Sequence, residues 1–278
     1  MLELYNQVCK ECSQLITNRY STSFSLGIKL FHKEIRSPIY SIYGFVRFAD
    51  EIVDTFHQYD KDLLLEEFRE ATFKAIDSGI SLNPVLHSFQ KVVHVYGIDN
   101  HLIEAFLDSM AMDLQSLQYD QDLYNRYIYG SAEVVGLMCL KVFTKNDQSK
   151  YDELSETARA LGSAFQKINF LRDIKDDYYE KGRLYFPNLD LHSFNKESKR
   201  AIEEDIEKDF AKGYEGILQL PKSARFGVFV AYTFYHNLLK KIRSSSFETL
   251  LHQRVRIKNR RKAYLLAKYS LKNSFHMI

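Results

Sequence analysis

Apolar side chains recur every three or four positions through most of the chain, and no stretch of useful length alternates as a strand would. That period predicts helices over 2–17, 37–57, 62–78, 84–95, 100–118, 121–143, 148–180, 196–218, 222–245 and 247–272, joined by short polar loops. Proline supports several of the starts. Ser37–Pro38 and Asn83–Pro84 each place a capping side chain before a residue suited to the first helical turn, and Pro221 opens another helix in the same way. No linker-like composition shift, low-complexity tract or solenoid repeat interrupts the pattern, which implies one all-α domain over residues 1–278.

Composition agrees. With 45% hydrophobic residues the chain has enough apolar material for a core, so disorder is excluded, and 11 Gly plus 4 Pro are too few for a turn-dense β-sandwich or propeller. The formal charge of +2 hides an asymmetry: residues 222–278 hold 13 Lys/Arg and one acid, Glu248, which leaves the preceding part acidic. That distribution suits cations held in one place and phosphate in another. No nucleic-acid module accompanies the basic stretch, so a nucleic-acid partner is not expected.

Three cysteines cannot form a disulfide framework, and the start lacks the basic-then-apolar order of a secretory signal, so a reduced, cytoplasmic protein is expected. Cys9 and Cys12 make a solitary C-x-x-C with no second pair or nearby His to complete a zinc site. The longest uncharged stretch, Phe226 to Leu239, has 14 residues. A transmembrane helix needs about 20.

The informative recurrence is acidic: D-x-x-x-D at Asp50/Asp54 and again at Asp173/Asp177, each within a predicted helix. Residues four apart share a helix face, where like charges repel unless a cation lies between them. One such pair is readily a solvated surface; two are harder to dismiss. Oxygen-only ligands point to Mg²⁺, with Mn²⁺ as the substitute, and Mg²⁺ completes its shell with phosphate oxygens and water. The surroundings strengthen this. Tyr43, Arg47, Asp50 and Asp54 form one stripe, and Gly162, Gln166, Asn169, Asp173 and Asp177 form another beside the apolar Phe165, Ile168 and Phe170. Two facing helices of this kind are a known way to build a metal site inside a bundle.

On these residues the chain resembles the squalene/phytoene synthase family over nearly its whole length. Tyr20-Ser21-Thr22-Ser23-Phe24 is similar to the family's H-S-x-S-F, Arg47 through Asp54 to its R-x-x-D-D-x-x-D, and Gln166 through Asp177, with Asn169, Arg172 and Asp173, to its Q-x-x-N-x-x-R-D-x-x-x-D. Tyr127 through Gly136, Met110 through Leu114 and the loop Gly182 through Pro187 agree further. Tyr20 stands where the family has His, Glu51 where it has Asp, and Ile128 and Glu133 where it has Cys and Gly. Glu133 is expected to point outward as a surface acid; turned inward it would alter the cavity. For the family's C-terminal substrate-contacting tyrosine, Phe247 is the nearest candidate.

The resemblance implies an isoprenoid synthase fold that joins two allylic diphosphates head to head. It implies metal ligation by Asp50, Asp54, Asn169, Asp173 and Asp177, and catalytic roles for these aspartates with Arg47, Arg172 and Tyr127. Substrate contacts fall to Tyr20, Ser21, Thr22, Ser23, Phe24, Tyr43, Arg47, Ser131, Val135, Gln166, Asn169, Arg172 and, from the basic run, Arg261. The expected substrate is geranylgeranyl diphosphate, giving phytoene; farnesyl diphosphate, giving dehydrosqualene or squalene, is the alternative, and an inactive scaffold the non-enzymatic one. NADPH is not expected, since no glycine-rich dinucleotide fingerprint occurs. A monomer or weak homo-oligomer, with peripheral membrane contact through the basic segment, completes the expectation.

Overall fold

The computed structural model describes residues 1–115, 119–187 and 195–274, and among these it contains no strand. Helices α1 (Leu2–Tyr20), α2 (Thr22–Lys29), α3 (Lys33–Thr55), α4 (Lys61–Ser78), α5 (Pro84–Tyr96) and α6 (Asn100–Met112) form the first half. They are followed by α7 (Gln121–Ile128), a π-helical turn (Tyr129–Glu133), α8 (Val134–Thr144) and the long α9 (Gln148–Tyr179). The chain finishes with α10 (Lys196–Gln219), α11 (Lys222–Arg243), α12 (Phe247–His252) and α13 (Asn259–Ser274).

Local chemistry explains most boundaries. Asn83 accepts from the N–H groups of Val85 and Leu86 with Pro84 in the first turn, and Gly79 and Gly97 close α4 and α5 at φ values of 69° and 57°, a conformation that favours glycine. Four boundaries differ from expectation. Helix α3 starts at Lys33, so Pro38 lies inside it and Ser37 caps nothing; the turn before it is fixed instead by His32 N–H donating to the Ser223 carbonyl at 2.9 Å. Helix α2 was not expected, because Ser21 both ends α1 in extended conformation and caps the next helix by accepting from Phe24 N–H. The last expected helix, 247–272, is broken over 253–258, where non-helical backbone buries Val255 and sends Arg254 toward α9. Helix α6 ends at Met112; of its expected continuation, residues 116–118 lie outside the described residues.

Aromatic stacking fills the core. Phe45 lies flat against Phe89 with ring centres 4.0 Å apart and meets Phe106 at 5.4 Å, tying α3 to α5 and α6. A second cluster gathers Tyr124, Tyr127, Phe170, Tyr185 and Phe186 around the far half of α9. The π turn descends on α6 through bare backbone: a Cβ at Gly130 would sit 2.4 Å from the Ala105 carbonyl and 2.6 Å from Ser109 Cβ. Such turns insert an extra residue and rotate the helix beyond them, and here Ser131 and Val135 face the interior cavity.

Candidate active site

Helices α3, α8, α9, α10 and α11 surround a cavity of about 360 Å³. Its lining runs in order along each helix. On α3 it passes from Ile39 through Tyr43 and Arg47 to Asp50; on α9 from Leu154 through Leu161 to Gln166 and Asn169. The apolar residues therefore lie at one end and the polar ones at the other. At 1.5 Å per residue, Ile39 to Asp50 spans about 16 Å and Leu154 to Asn169 about 22 Å.

The aspartate motifs meet beyond the polar end. Lys181 Nζ lies 2.8 Å from Asp54 and 3.5 Å from Asp177, so one ammonium bridges the two motifs. Arg183 also reaches Asp54, at 3.0 Å. Arg47 clasps Asp50 and Glu51, while Arg172 and Arg254 both hold Asp173, the latter at 2.6 Å. Burial pushes Asp50 up to about 6 against the opposing pull of Arg47, and Asp177 up to about 7 against that of Lys181. Asp54 is half-buried, but Lys181 and Arg183 outweigh the desolvation and hold it below its usual value.

These carboxylates test whether a divalent cation fits. The donors are oxygens throughout, and Asp50 and Asp177 carry less compensation than their burial demands, which a cation would supply. Among the described residues no three acidic, His or Cys side chains converge into a ready nest. The chain's own cations occupy the carboxylates, so metal binding requires Lys181, Arg183 and Arg254 to exchange partners. The donor chemistry fits.

The remaining site residues divide. Phe24, Tyr43, Tyr127, Ser131, Val135, Gln166 and Asn169 line the cavity. Buried Ser131 Oγ and Arg47 Nε have no hydrogen-bond partner among the described residues. Tyr20 covers Arg47, whose guanidinium lies 4.4 Å from the ring centre, and Ser23 accepts from Lys262 at 2.7 Å. Thr22 is exposed and Arg261 lies outside the cavity, over the Tyr264 ring; from the basic run it is Arg254 and Lys262 that arrive. Their approach depends on the break before α13, which periodicity did not reveal. Glu133 turns outward to Arg159 at 2.6 Å. Phe247 packs in the second cluster, whereas Tyr235, which sequence reasoning missed, lines the cavity and donates to Asn169 at 3.3 Å.

Beneath the motifs sits a further acid. Asp113 accepts from Tyr127 at 2.6 Å and Tyr185 at 2.9 Å, and its backbone carbonyl accepts from Arg183 at 2.7 Å. It thereby links the cavity wall to the cations around Asp54. Burial raises its pKa, opposed by Arg183 and the two phenols.

Residues 17–261 match the model of the squalene/phytoene synthase family. The chain belongs to that family. Squalene/phytoene synthase membership makes it a prenyltransferase and accounts for the long apolar cavity closed by two acidic motifs. A phytoene synthase of Arthrospira platensis is 30% identical over 267 residues, covering 86% of this chain and 85% of that one. The 4,4'-diapophytoene synthase of Staphylococcus haemolyticus is 27% identical over 207 residues, covering 71% and 67%. The crystal structure of a dehydrosqualene synthase in complex with ligand shares the fold at a TM-score of 0.82, covering 96% of this chain and 98% of that one with 21% identity.

Proposed function

We propose that this chain condenses two geranylgeranyl diphosphates head to head, through a cyclopropylcarbinyl diphosphate, to phytoene, releasing both diphosphates and two protons, one on forming the cyclopropane and one on forming the central alkene. The observation that carries the reading is a cavity whose lining runs about 16 Å along α3 and about 22 Å along α9 from an apolar end to Arg47, Asp50, Gln166 and Asn169 at the other. An extended geranylgeranyl main chain of roughly 16 carbons, at about 1.25 Å each, is about 20 Å long; a farnesyl chain is about 15 Å. The span along α9 accommodates the longer tail, and that along α3 matches the shorter one. Similarity to the Arthrospira platensis phytoene synthase favours the same substrate. The diapophytoene synthase relative keeps farnesyl diphosphate as the second reading.

Divalent cations held by Asp50, Asp54, Asn169, Asp173 and Asp177 would neutralise the charge that grows on the departing diphosphate. The protein's own part is positional. Arg47 and Arg172 direct guanidinium donors to the same end, and once released from their carboxylates Lys181, Arg183 and Arg254 are available to phosphate oxygens. Ser131 Oγ offers a neutral donor from the wall. The cation left on the prenyl chain is met by the faces of Phe24 and Tyr43, whose centres lie 5.4 Å apart, in a pocket lined mainly by apolar side chains that keeps water from quenching it. Tyr127 is buried with its hydroxyl committed to Asp113, so burial and that carboxylate keep it protonated. It serves as a fixed wall of the cavity.

No helix among the described residues is long and apolar enough to cross a membrane. We expect the protein to work at a membrane surface, because its product is insoluble in water and Arg256, Lys258, Arg260 and Arg261 are exposed near the α2–α13 contact.

The test is to incubate purified protein with Mg²⁺ and each diphosphate, with and without NADPH, and to identify the hydrocarbon by mass spectrometry. Phytoene without NADPH is expected. A C30 hydrocarbon from farnesyl diphosphate, with none from the longer substrate, would establish the second reading.

A further inference from the structure

The deep end of the cavity has one wall whose position depends on a missing side chain. Phe31 lies in the turn between α2 and α3, lines the cavity, and leans on Phe143 of α8 with ring centres 5.2 Å apart. Its other side rests on α11: a Cβ added at Gly227 would lie 2.3 Å from two carbons of the ring and 3.0 Å from the Gly27 carbonyl. Only bare backbone at 227 allows this placement.

The turn itself cannot yield. Phe31 N–H donates to the Ile28 carbonyl at 3.1 Å, Arg36 Nε donates to the Phe31 carbonyl at 2.8 Å, and His32 N–H donates to Ser223 at 2.9 Å. A ring pushed off Gly227 meets Phe143 on one side and empty cavity on the other. The cavity is the easier course.

We propose that the Phe31 ring, seated against Gly227 and braced by Phe143, is the end wall that sets the longest prenyl tail the cavity accepts. The inference rests on the reading of the cavity as a prenyl site, and makes Gly227 a second determinant acting through the ring. Each tail carbon excluded from the cavity costs about fourfold in affinity, so pushing the ring inward by two or more carbons predicts at least about a tenfold effect.

The experiment measures calorimetric affinities of the full chain, with Mg²⁺, for unreactive C15, C20 and C25 prenyl thiolodiphosphates, in the wild type, G227A, F31A and the double variant. G227A is expected to weaken C20 relative to C15 by at least about tenfold, and the double variant to recover that ratio. F31A alone is expected to raise C25 relative to C20, and this arm stands even if G227A does not fold. An F31A ratio within about twofold of wild type, or a folded double variant that keeps the G227A defect, overturns the proposal. So does a wild type that binds none of the analogues. Length-ordered binding without hydrocarbon formation refutes the proposed reaction and leaves the wall supported.

Discussion

Replacing Asp113 with Ala isolates the link between the cavity wall and the cations around Asp54. The backbone carbonyl at 113 survives, so Arg183 keeps its 2.7 Å bond there and its 3.0 Å contact with Asp54. What disappears is the acceptor for Tyr127 and Tyr185, which are only 4% and 6% exposed, and the carboxylate 3.7 Å from Arg183 Nη1. A buried donor left unsatisfied costs about 1–3 kcal/mol. The two hydroxyls are 3.5 Å apart, close enough for one to take the other's proton bond. Release of a buried carboxylate returns part of the loss, since burial already raises the Asp113 pKa. The net expectation is a destabilisation of about 2–4 kcal/mol. At about 2 °C per kcal/mol for a chain of this size, Tm should fall by about 4–8 °C. Urea unfolding with an unchanged m-value measures the free energy directly. Y185F, which removes one donor and no charge, should cost about 1 kcal/mol. A loss below about 0.5 kcal/mol in D113A, or a Y185F loss as large as the D113A loss, would refute this account of the network.

Asp50→Asn and Asp173→Asn should each lower the hydrocarbon-forming rate by about 100-fold or more in product assays. Their melting curves should show a folded protein: burial raises Asp50 above its unfolded pKa, so its ionisation costs stability as pH rises from 3.8 to about 6, and Asn removes that cost. Chelation of divalent cations should abolish product formation, with Mg²⁺ restoring it fully and Mn²⁺ in part; activity that persists in chelator would contradict the assigned ligands. Gly216→Ala should cost about 2 kcal/mol in denaturant unfolding, because its Cβ would lie 2.0 Å from Thr157 Oγ1. Flotation with anionic vesicles should recover the protein at low salt and lose it as screening rises; no binding at low salt would exclude the membrane contact.

Helical periodicity revealed the long elements α10 and α11 because each buries one face and exposes the other. It failed where tertiary contacts overrode local signals. Pro38 reads as a helix start, yet the Phe31–His32 turn is fixed by Ser223, far away in sequence, and the helix begins earlier. The segment 253–258 reads as helix, but Val255 and Arg254 gain more from burial and from Asp173 than the helix would give. In the site, the two aspartate stripes were legible because a carboxylate pair on one helix face is a local feature. Lys181 was not, since its role exists only once α3 and α9 face each other. Arg261 illustrates the converse: charge density in the sequence identifies a basic run and not which of its members turns inward.

The most direct test of head-to-head coupling is stoichiometric. With labelled geranylgeranyl diphosphate and Mg²⁺, diphosphate released and hydrocarbon formed are counted in the same reaction. The account predicts two diphosphates for each C40 hydrocarbon. One diphosphate per prenyl alcohol, with no coupled product, would contradict it.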